Sequence, residues 1–174
     1  MKSIPLTHGK HALVDDVDYG YVSRYKWRAM PIPRVRMDTV WYAVRTDRNA
    51  SGDKTTVYMH RVVMQLAEHS SLTGFDHRDG NGLNNQRDNL RPCNQTQNNA
   101  NKRKQAGRTS GFKGVSWSAE RGKWEAYLRF KGKRVLASRF DSEASAAVAY
   151  DVAAQNYFGE FARLNFPMRD TLVI

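Results

Sequence analysis

The pattern of hydrophobic and polar positions predicts a β-hairpin in the N-terminal third of the chain. Residues 39–45 and 55–59 are rich in β-branched and aromatic side chains, which favour strands. Residues 49–53 lie between them and have the composition of a turn. Pro31 and Pro33 predict a break in regular structure just upstream. The chain is therefore expected to begin with a small β-rich unit.

Apolar residues change their spacing in the next segment and predict a short helix that ends near His69. The positions on its apolar side are Val62, Val63, Leu66 and Ala67. Residues 94–104 are typical of an exposed polar helix that ends in three cations. Residues 105–110 show no periodicity, which predicts a linker.

Amide side chains dominate residues 81–105, where twelve positions are Asn or Gln. One interpretation is a polar low-complexity linker. The other is a folded segment, because Leu83 and Leu90 are spaced like core residues and residues 79–82 resemble a tight turn between two short strands. We favour the folded segment, with Asp79 as a turn residue.

The C-terminal part of the chain predicts a three-stranded sheet followed by a helix. Residues 113–117, 123–130 and 133–140 are the strands, and Lys131 with Gly132 makes the last hairpin turn. Alternation puts Trp124, Ala126, Leu128 and Phe130 on one face and Lys123, Glu125, Tyr127 and Arg129 on the other. Asp141 or Ser142 caps an alanine-rich helix that Gly159 ends.

These elements predict a modular α+β protein. Its expected parts are a β-rich unit at 1–58, a central domain at 59–104, a linker at 105–110, a sheet-plus-helix module at 111–167 and a tail at 168–174. At 174 residues the chain is long enough for two or more small modules.

Positive charge is concentrated in one part of the chain. Lys and Arg number 28 against 17 Asp and Glu, and the stretch from Lys102 to Arg139 alone holds twelve basic and two acidic residues. Aromatic residues are interleaved with these charges, namely Phe112, Trp117, Trp124, Tyr127 and Phe130. A solvated charged face is the plain alternative. Aromatic side chains at strand spacing favour a folded surface that binds nucleic acid.

The single cysteine, Cys93, excludes an internal disulfide framework and a four-cysteine zinc site, so no structural zinc is expected. No apolar run approaches the roughly 20 residues that span a membrane. The N-terminus lacks an apolar segment of signal-peptide length. We expect an intracellular, cytoplasmic protein without a membrane partner.

Candidate catalytic chemistry lies in the amide-rich centre. His77 has the unperturbed pKa of a general base near neutral pH, and the adjacent Asp76 offers hard oxygen to a divalent cation. The carboxamide oxygen of Asn98 offers a second ligand. His60 and His69 lie nearby in sequence, but a lone histidine is more often structural.

With these residues, the stretch from Met59 to Asn101 resembles the HNH endonucleases, in the branch found among phage homing and nicking enzymes. The resemblance rests on Asp76-His77, then Asn89-Leu90-Arg91, then Asn98. It implies a ββα-metal finger that holds one Mg²⁺ or Mn²⁺. His77 would deprotonate water, Asn89 would orient the His77 ring, and Asp76 and Asn98 would bind the metal.

Asn98 departs from the commonest family pattern, which has histidine there. The resemblance implies the phage-type branch, and a neutral amide favours a hard cation over zinc. The implied products are a 5′-phosphate and a 3′-hydroxyl.

The stretch from Ser110 to Pro167 resembles the APETALA2-type DNA-binding domain. The matching segments are Gly111-Phe112-Lys113-Gly114-Val115, Gly122-Lys123-Trp124, Arg129, Phe140-Asp141, Ala149-Tyr150-Asp151, Ala153-Ala154 and Leu164-Asn165-Phe166. The resemblance implies a sheet that lies in the major groove of duplex DNA. Ser116 and Leu136 depart from the Arg and Trp common in the plant domains, so base preference does not carry over.

Ten residues are candidate DNA contacts: Arg91, Lys102, Arg103, Lys104, Lys113, Trp117, Lys123, Arg129, Arg134 and Arg139. The main hypothesis is a metal-dependent endonuclease that nicks duplex DNA, acting as a monomer or weak dimer, phage-encoded and working in the bacterial host. The alternatives are a non-cleaving DNA-binding protein or regulator and, less favoured, an RNA-cleaving toxin.

Overall fold

A computed structural model describes residues 1–34, 37–66, 74–104 and 109–167. The described residues are mixed α+β with several small sheets, as the sequence predicts. They fall into an N-terminal unit, with residues 1–34 and 38–94, and a C-terminal unit that begins at Gln95. Three predictions fall outside the described residues: the end of the helix expected near His69, most of the linker, and the tail.

Two small sheets and two helices precede the candidate site in the N-terminal unit. They are β1 (Lys2–Pro5), β2 (His11–Val14), α1 (Asp16–Val22), β3 (Arg28–Arg34), β4 (Met37–Arg48), β5 (Lys54–Tyr58) and α2 (Met59–Leu66). β1 pairs antiparallel with β2, and the second sheet has the order β3-β4-β5. The β4–β5 hairpin matches the prediction, with Val44 opposite Tyr58 and Arg48 opposite Lys54.

The break predicted at Pro31 and Pro33 is wrong, because both prolines lie inside β3. β3 is an edge strand of its sheet. An edge strand tolerates proline because its outward side needs no ladder hydrogen bond.

The N-terminal unit ends with β6 (Phe75–His77), a 3₁₀ turn at Arg87–Asn89, and β7 (Leu90–Pro92). β6 and β7 form a two-stranded antiparallel sheet in which Asp76 faces Arg91 and His77 faces Leu90. The folded interpretation of the amide-rich segment is therefore confirmed for these strands. Leu90 belongs to the buried core and Leu83 packs against that core.

The C-terminal unit contains α3 (Gln95–Asn101), β8 (Val115–Ser118), β9 (Lys123–Phe130), β10 (Lys133–Phe140), α4 (Glu143–Phe158) and a 3₁₀ turn at Gly159–Phe161. Its sheet is antiparallel with the order β10-β9-β8. Ser142 caps α4, since its Oγ accepts a hydrogen bond from the Ser145 amide at 3.0 Å. Gly159 ends the helix with φ +53°. The predicted sheet, cap and helix end are confirmed.

Small residues let α4 lie close to the sheet. Ala146 and Ala147 are buried against Val115 and Ala126. Gly114 shows how close the packing is, because a Cβ added there would lie 2.0 Å from the Tyr150 ring. No helix in the described part of the chain is long and apolar enough to cross a membrane.

Candidate functional site

His77 sits in a buried pocket of polar and aromatic side chains in the N-terminal unit. Its side chain is 5% exposed. Its ring centroid is 5.1 Å from that of His60 and 5.7 Å from that of Tyr42. Burial lowers the pKa of His77, and a hydrogen-bonding contact with Asn85 partly opposes that shift. The imidazole is therefore neutral at pH 7.

His60 is the residue near this site that sequence reasoning undervalued. It lies in α2, is 9% exposed, and meets the His77 ring nearly edge to face. Burial lowers the pKa of His60 to about 3, with smaller contributions from His77 and Arg61. The two histidines therefore form a neutral pair. The only sequence signal was a histidine opening a helix just ahead of the candidate strand.

The side-chain amide of Asn85, and not that of the predicted Asn89, contacts the His77 ring. The Oδ1 atom of Asn85 lies 3.5 Å from Nε2 of His77. Asn89, the predicted orienting residue, instead donates from Nδ2 to Asp79 at 3.0 Å and to the Asn84 carbonyl at 2.8 Å. Asn89 thus holds the turn after His77, and Asn85 contacts the ring.

Asn85 is positioned by residues some seventy places earlier in the chain. The backbone N–H of Asn85 donates to the Leu13 carbonyl at 2.8 Å, which connects the loop to β2. Two residues further on, Arg87 makes a bidentate ion pair with the buried Asp18, at 2.6 and 2.8 Å. The fully buried Asn85 is held in place by this framework.

Asp79 is a turn residue, as the sequence predicted. Its Oδ1 accepts a hydrogen bond from the Asn81 amide at 2.8 Å, and its Oδ2 accepts one from Asn84 Nδ2 at 2.9 Å. Gly80 follows with φ +74°, a conformation that favours glycine. The turn keeps Asp79 bonded to its own loop.

Asp76 and Arg91 form a buried ion pair, which changes the role expected of each. Arg91 donates from Nη2 and Nε to Asp76 Oδ2 at 2.8 and 3.0 Å. The two side chains are 5% and 7% exposed, with Arg91 the lower. The guanidinium of Arg91 is enclosed and pairs with Asp76, which does not favour the predicted DNA contact of Arg91. Asp76 serves here as the counterion of Arg91.

Asp76, the predicted carboxylate ligand, is not a good metal ligand in this arrangement, because Arg91 engages it. Asn98, the second predicted ligand, lies in α3 of the C-terminal unit, and its role stays a prediction. Among the described residues, no group of three or more His, Cys, Asp and Glu side chains could hold a metal ion. Lys102 and Arg103 are exposed after α3, and Lys104 is half-buried.

The C-terminal sheet carries a basic and aromatic surface on the side away from α4. We call it the outer face and define it by Tyr127, Arg129, Arg134 and Arg139. Tyr127 is 38% exposed, and its ring centroid lies 5.8 Å from Cζ of Arg129 and 5.2 Å from Cζ of Arg134. Arg129 and Arg134 are directly opposite across β9 and β10. Tyr127 was absent from the predicted contacts, although strand alternation put it on this face.

Acidic residues limit the positive charge of this sheet. Arg139 Nε lies 3.2 Å from Glu125 Oε1. Lys123 forms an exposed ion pair with Asp141. Arg139 is thus partly neutralised by Glu125, whereas Arg129 and Arg134 lie beside Tyr127.

Two predicted contacts lie elsewhere in the C-terminal unit. Trp117 pairs with Trp124 across β8 and β9, at 5.1 Å between ring centroids, so it belongs to the α4 side of the sheet. Lys113 donates through Nζ to the Ala100 carbonyl at the end of α3. Burial lowers the pKa of Lys113 to about 8, and the nearby Arg163 adds to the effect.

A partly buried hydrogen-bond network includes several residues of the segments that resemble the APETALA2-type pattern. Asp151 Oδ1 accepts a hydrogen bond from the backbone N–H of Asn165 at 2.8 Å, and Asp151 Oδ2 accepts one from the backbone N–H of Phe166 at 2.8 Å. Asn165 in turn binds both the backbone NH and the backbone carbonyl of Lys113. These residues fasten the last segment to α4 and to the start of the sheet.

About a third of the chain is similar to curated proteins from a phage and from plants. It is 44% identical over 60 residues to Protein 3.8 of Escherichia phage T7, covering 34% of this chain and 50% of the relative. It is 38% identical over 63 residues to APETALA2-like protein 2 of Oryza sativa, covering 36% and 14%. It is 39% identical over 59 residues to ethylene-responsive transcription factor WRI1 of Arabidopsis thaliana, covering 34% and 13%.

The similarity is local, because the chain spans half the length of the phage relative and about a seventh of these plant relatives. No family model matches the chain. No solved structure matches it either.

Proposed function

We propose that the chain is a DNA-binding protein whose C-terminal unit binds duplex DNA with sequence preference. The observation that carries the proposal is the outer face, where Arg129 and Arg134 flank an exposed Tyr127 on an antiparallel sheet. Local similarity to plant proteins named as transcription factors supports it. The net charge of +11 favours binding to a polyanion.

The two arginines would perform different tasks from the tyrosine. Guanidinium groups bind phosphates and the guanine edge through paired N–H donors. The Tyr127 ring lies within cation–π distance of both arginines and would help to orient them. Because Arg129 and Arg134 face each other across the hairpin, they present four or more donors to one groove or one strand.

The test is a binding isotherm on the full chain with a duplex selected from a random library. Arg129→Ala with Arg134→Ala should weaken binding by about 1–3 kcal/mol per base-contacting arginine. A phosphate contact should instead lower the salt slope by about 1 per residue. The matched control is Arg24→Ala with Lys26→Ala, which removes the same charge from exposed positions of the N-terminal unit. Equal loss in both double variants would refute a specific outer face.

DNA strand cleavage at His77 is a second candidate function, and we propose it on one observation. His77 is a neutral imidazole next to an amide oxygen, on β6 of the β6–β7 hairpin. Neutral imidazole is the form that can accept a proton from water. The HNH resemblance implies a divalent metal. Asp76 is a poor ligand for it in this arrangement, because its carboxylate forms an ion pair with Arg91.

A supercoiled plasmid assay tests this second candidate separately. Wild type is incubated with Mg²⁺, with Mn²⁺ and with EDTA, beside His77→Ala and the exposed control His11→Ala. Cleavage predicts nicked circles that His77→Ala abolishes and that His11→Ala leaves unchanged. Intact plasmid under both metals, with duplex binding retained, would leave DNA binding as the function.

A further inference from the structure

A cavity of about 330 Å³ lies entirely within the C-terminal unit, between α3, the β9–β10 turn and α4. This volume is at the lower end of the range for small-molecule sites, roughly 300–1,000 Å³. None of the described side chains that line it is acidic. Nothing in the DNA-binding proposal uses it as a site.

The polar side of the cavity is positively charged. Lys113, Arg129 and Lys131 line it, with Thr96 and Asn99 contributed by α3. Lys131 is exposed at the hairpin turn, whereas Lys113 is half-buried. The Lys113 ammonium donates to the Ala100 carbonyl, and an anion in the cavity would accept from its remaining N–H donors. Two lysines in a lining without a carboxylate favour an anionic ligand.

The other side of the cavity is apolar and aromatic. Leu128 and Tyr150 are buried, and Phe158 is half-buried beside them. A simple inorganic anion would leave this surface uncovered. A ligand with a flat apolar group joined to a phosphate would cover it and also reach the cations.

We propose that this cavity binds a nucleoside monophosphate unit, with its phosphate at Lys131 and Lys113 and its base against Leu128, Tyr150 and Phe158. The unit is either a free nucleotide or an unpaired nucleotide of a DNA strand, since both have the same chemistry. Arg129 lines the cavity as well, but its side chain lies beside Tyr127 on the outer face.

Calorimetric titration of the full chain with dAMP, deoxyadenosine and inorganic phosphate tests the ligand class. We expect dAMP to bind with Kd below about 1 mM and at least tenfold more tightly than either fragment. Phosphate binding as tightly as dAMP, or no dAMP binding up to about 10 mM, overturns the proposal.

Charge reversal at the turn tests the place of binding. Lys131→Glu should weaken dAMP binding roughly ten- to hundredfold, the range for loss of a charge-assisted hydrogen bond. Lys133→Glu makes the same change at an exposed position two residues away, outside the cavity lining, and should leave dAMP binding unchanged. Asn99→Trp, which fills the α3 side, should also abolish binding. Equal effects of the two charge reversals would refute the site.

Duplexes with and without a single-nucleotide bulge identify the source of the nucleotide. If the cavity takes a nucleotide from DNA, wild type prefers the bulged duplex and Lys131→Glu loses that preference. If it takes free nucleotides alone, dAMP binds and the two duplexes bind equally. Both outcomes require dAMP binding that Lys131→Glu weakens. Loss of dAMP binding would overturn the cavity proposal alone. Binding to the fully paired duplex, measured with the Arg129/Arg134 variants, tests the outer face separately.

Discussion

Replacing Gly114 with alanine should destabilise the C-terminal unit by a combination of backbone strain and steric overlap. Gly114 has φ +73°, a region in which an L-residue costs about 1–2 kcal/mol. Its added Cβ would also lie 2.0 and 2.2 Å from two atoms of the Tyr150 ring, a separation that real contacts do not reach. Tyr150 is buried and would have to move, which adds about 1–3 kcal/mol of overpacking.

Gly122 provides the matched control, because it separates strain from overlap. It has φ +57° and nothing within 4 Å of an added Cβ. Gly122→Ala should therefore cost only the backbone term of about 1–2 kcal/mol. Gly114→Ala should cost about 2–5 kcal/mol in total. The difference corresponds to a further fall in Tm of at least about 4 °C for a unit of this size.

Hydrogen exchange mass spectrometry in a urea series measures this effect locally. Peptides from α4 and β9 should lose protection at lower urea in Gly114→Ala than in Gly122→Ala, while peptides from α2 stay as in wild type. Duplex binding should weaken in parallel if the outer face needs the intact sheet. Equal urea midpoints for the two alanine variants would show that Tyr150 does not pack as described.

Two further predictions concern the N-terminal unit. Asp76→Ala should lower the free energy of unfolding by about 3–5 kcal/mol, because it leaves the Arg91 charge buried without its partner. The double variant Asp76→Leu with Arg91→Met should recover most of that loss in urea unfolding. An unstable double variant would contradict a purely electrostatic role for the pair. The folded pKa of His60, about 3, lies below its unfolded value, so its contribution to stability is complete above pH 6.5 and is lost as the pH falls towards 3. Between pH 7 and pH 5 this loss of stability is about 2 kcal/mol. His60→Gln should reduce the loss, and urea midpoints measured at the two pH values will report it. An unchanged pH dependence in His60→Gln would assign the effect to other groups.

Local patterns determined most of the C-terminal unit. Strand alternation separates Tyr127 and Arg129 from the buried Ala126 and Leu128, and neighbouring residues along the chain decide that separation. The Ser142 cap is equally local, because its bond spans three residues. Such features depend on backbone geometry within one element or one hairpin, so the sequence predicted them correctly.

The candidate site depended on contacts between distant residues. Twelve Asn and Gln residues lie between positions 81 and 105, and their sequence spacing does not identify Asn85 as a partner of His77. Asn85 meets it because Asp18 and β2 fix the path of its loop from some seventy residues away. The burial of His60 against the same ring likewise comes from the packing of α2.

The sequence by itself determined an α+β chain with a basic, aromatic C-terminal sheet and a histidine-bearing hairpin. Only the tertiary structure decided that Arg91 neutralises Asp76 inside the N-terminal unit, and that Lys113 turns towards the end of α3. The physical reason is that a charge has no fixed role in sequence. Its role follows from whether burial removes it from water and from which partner the fold then supplies.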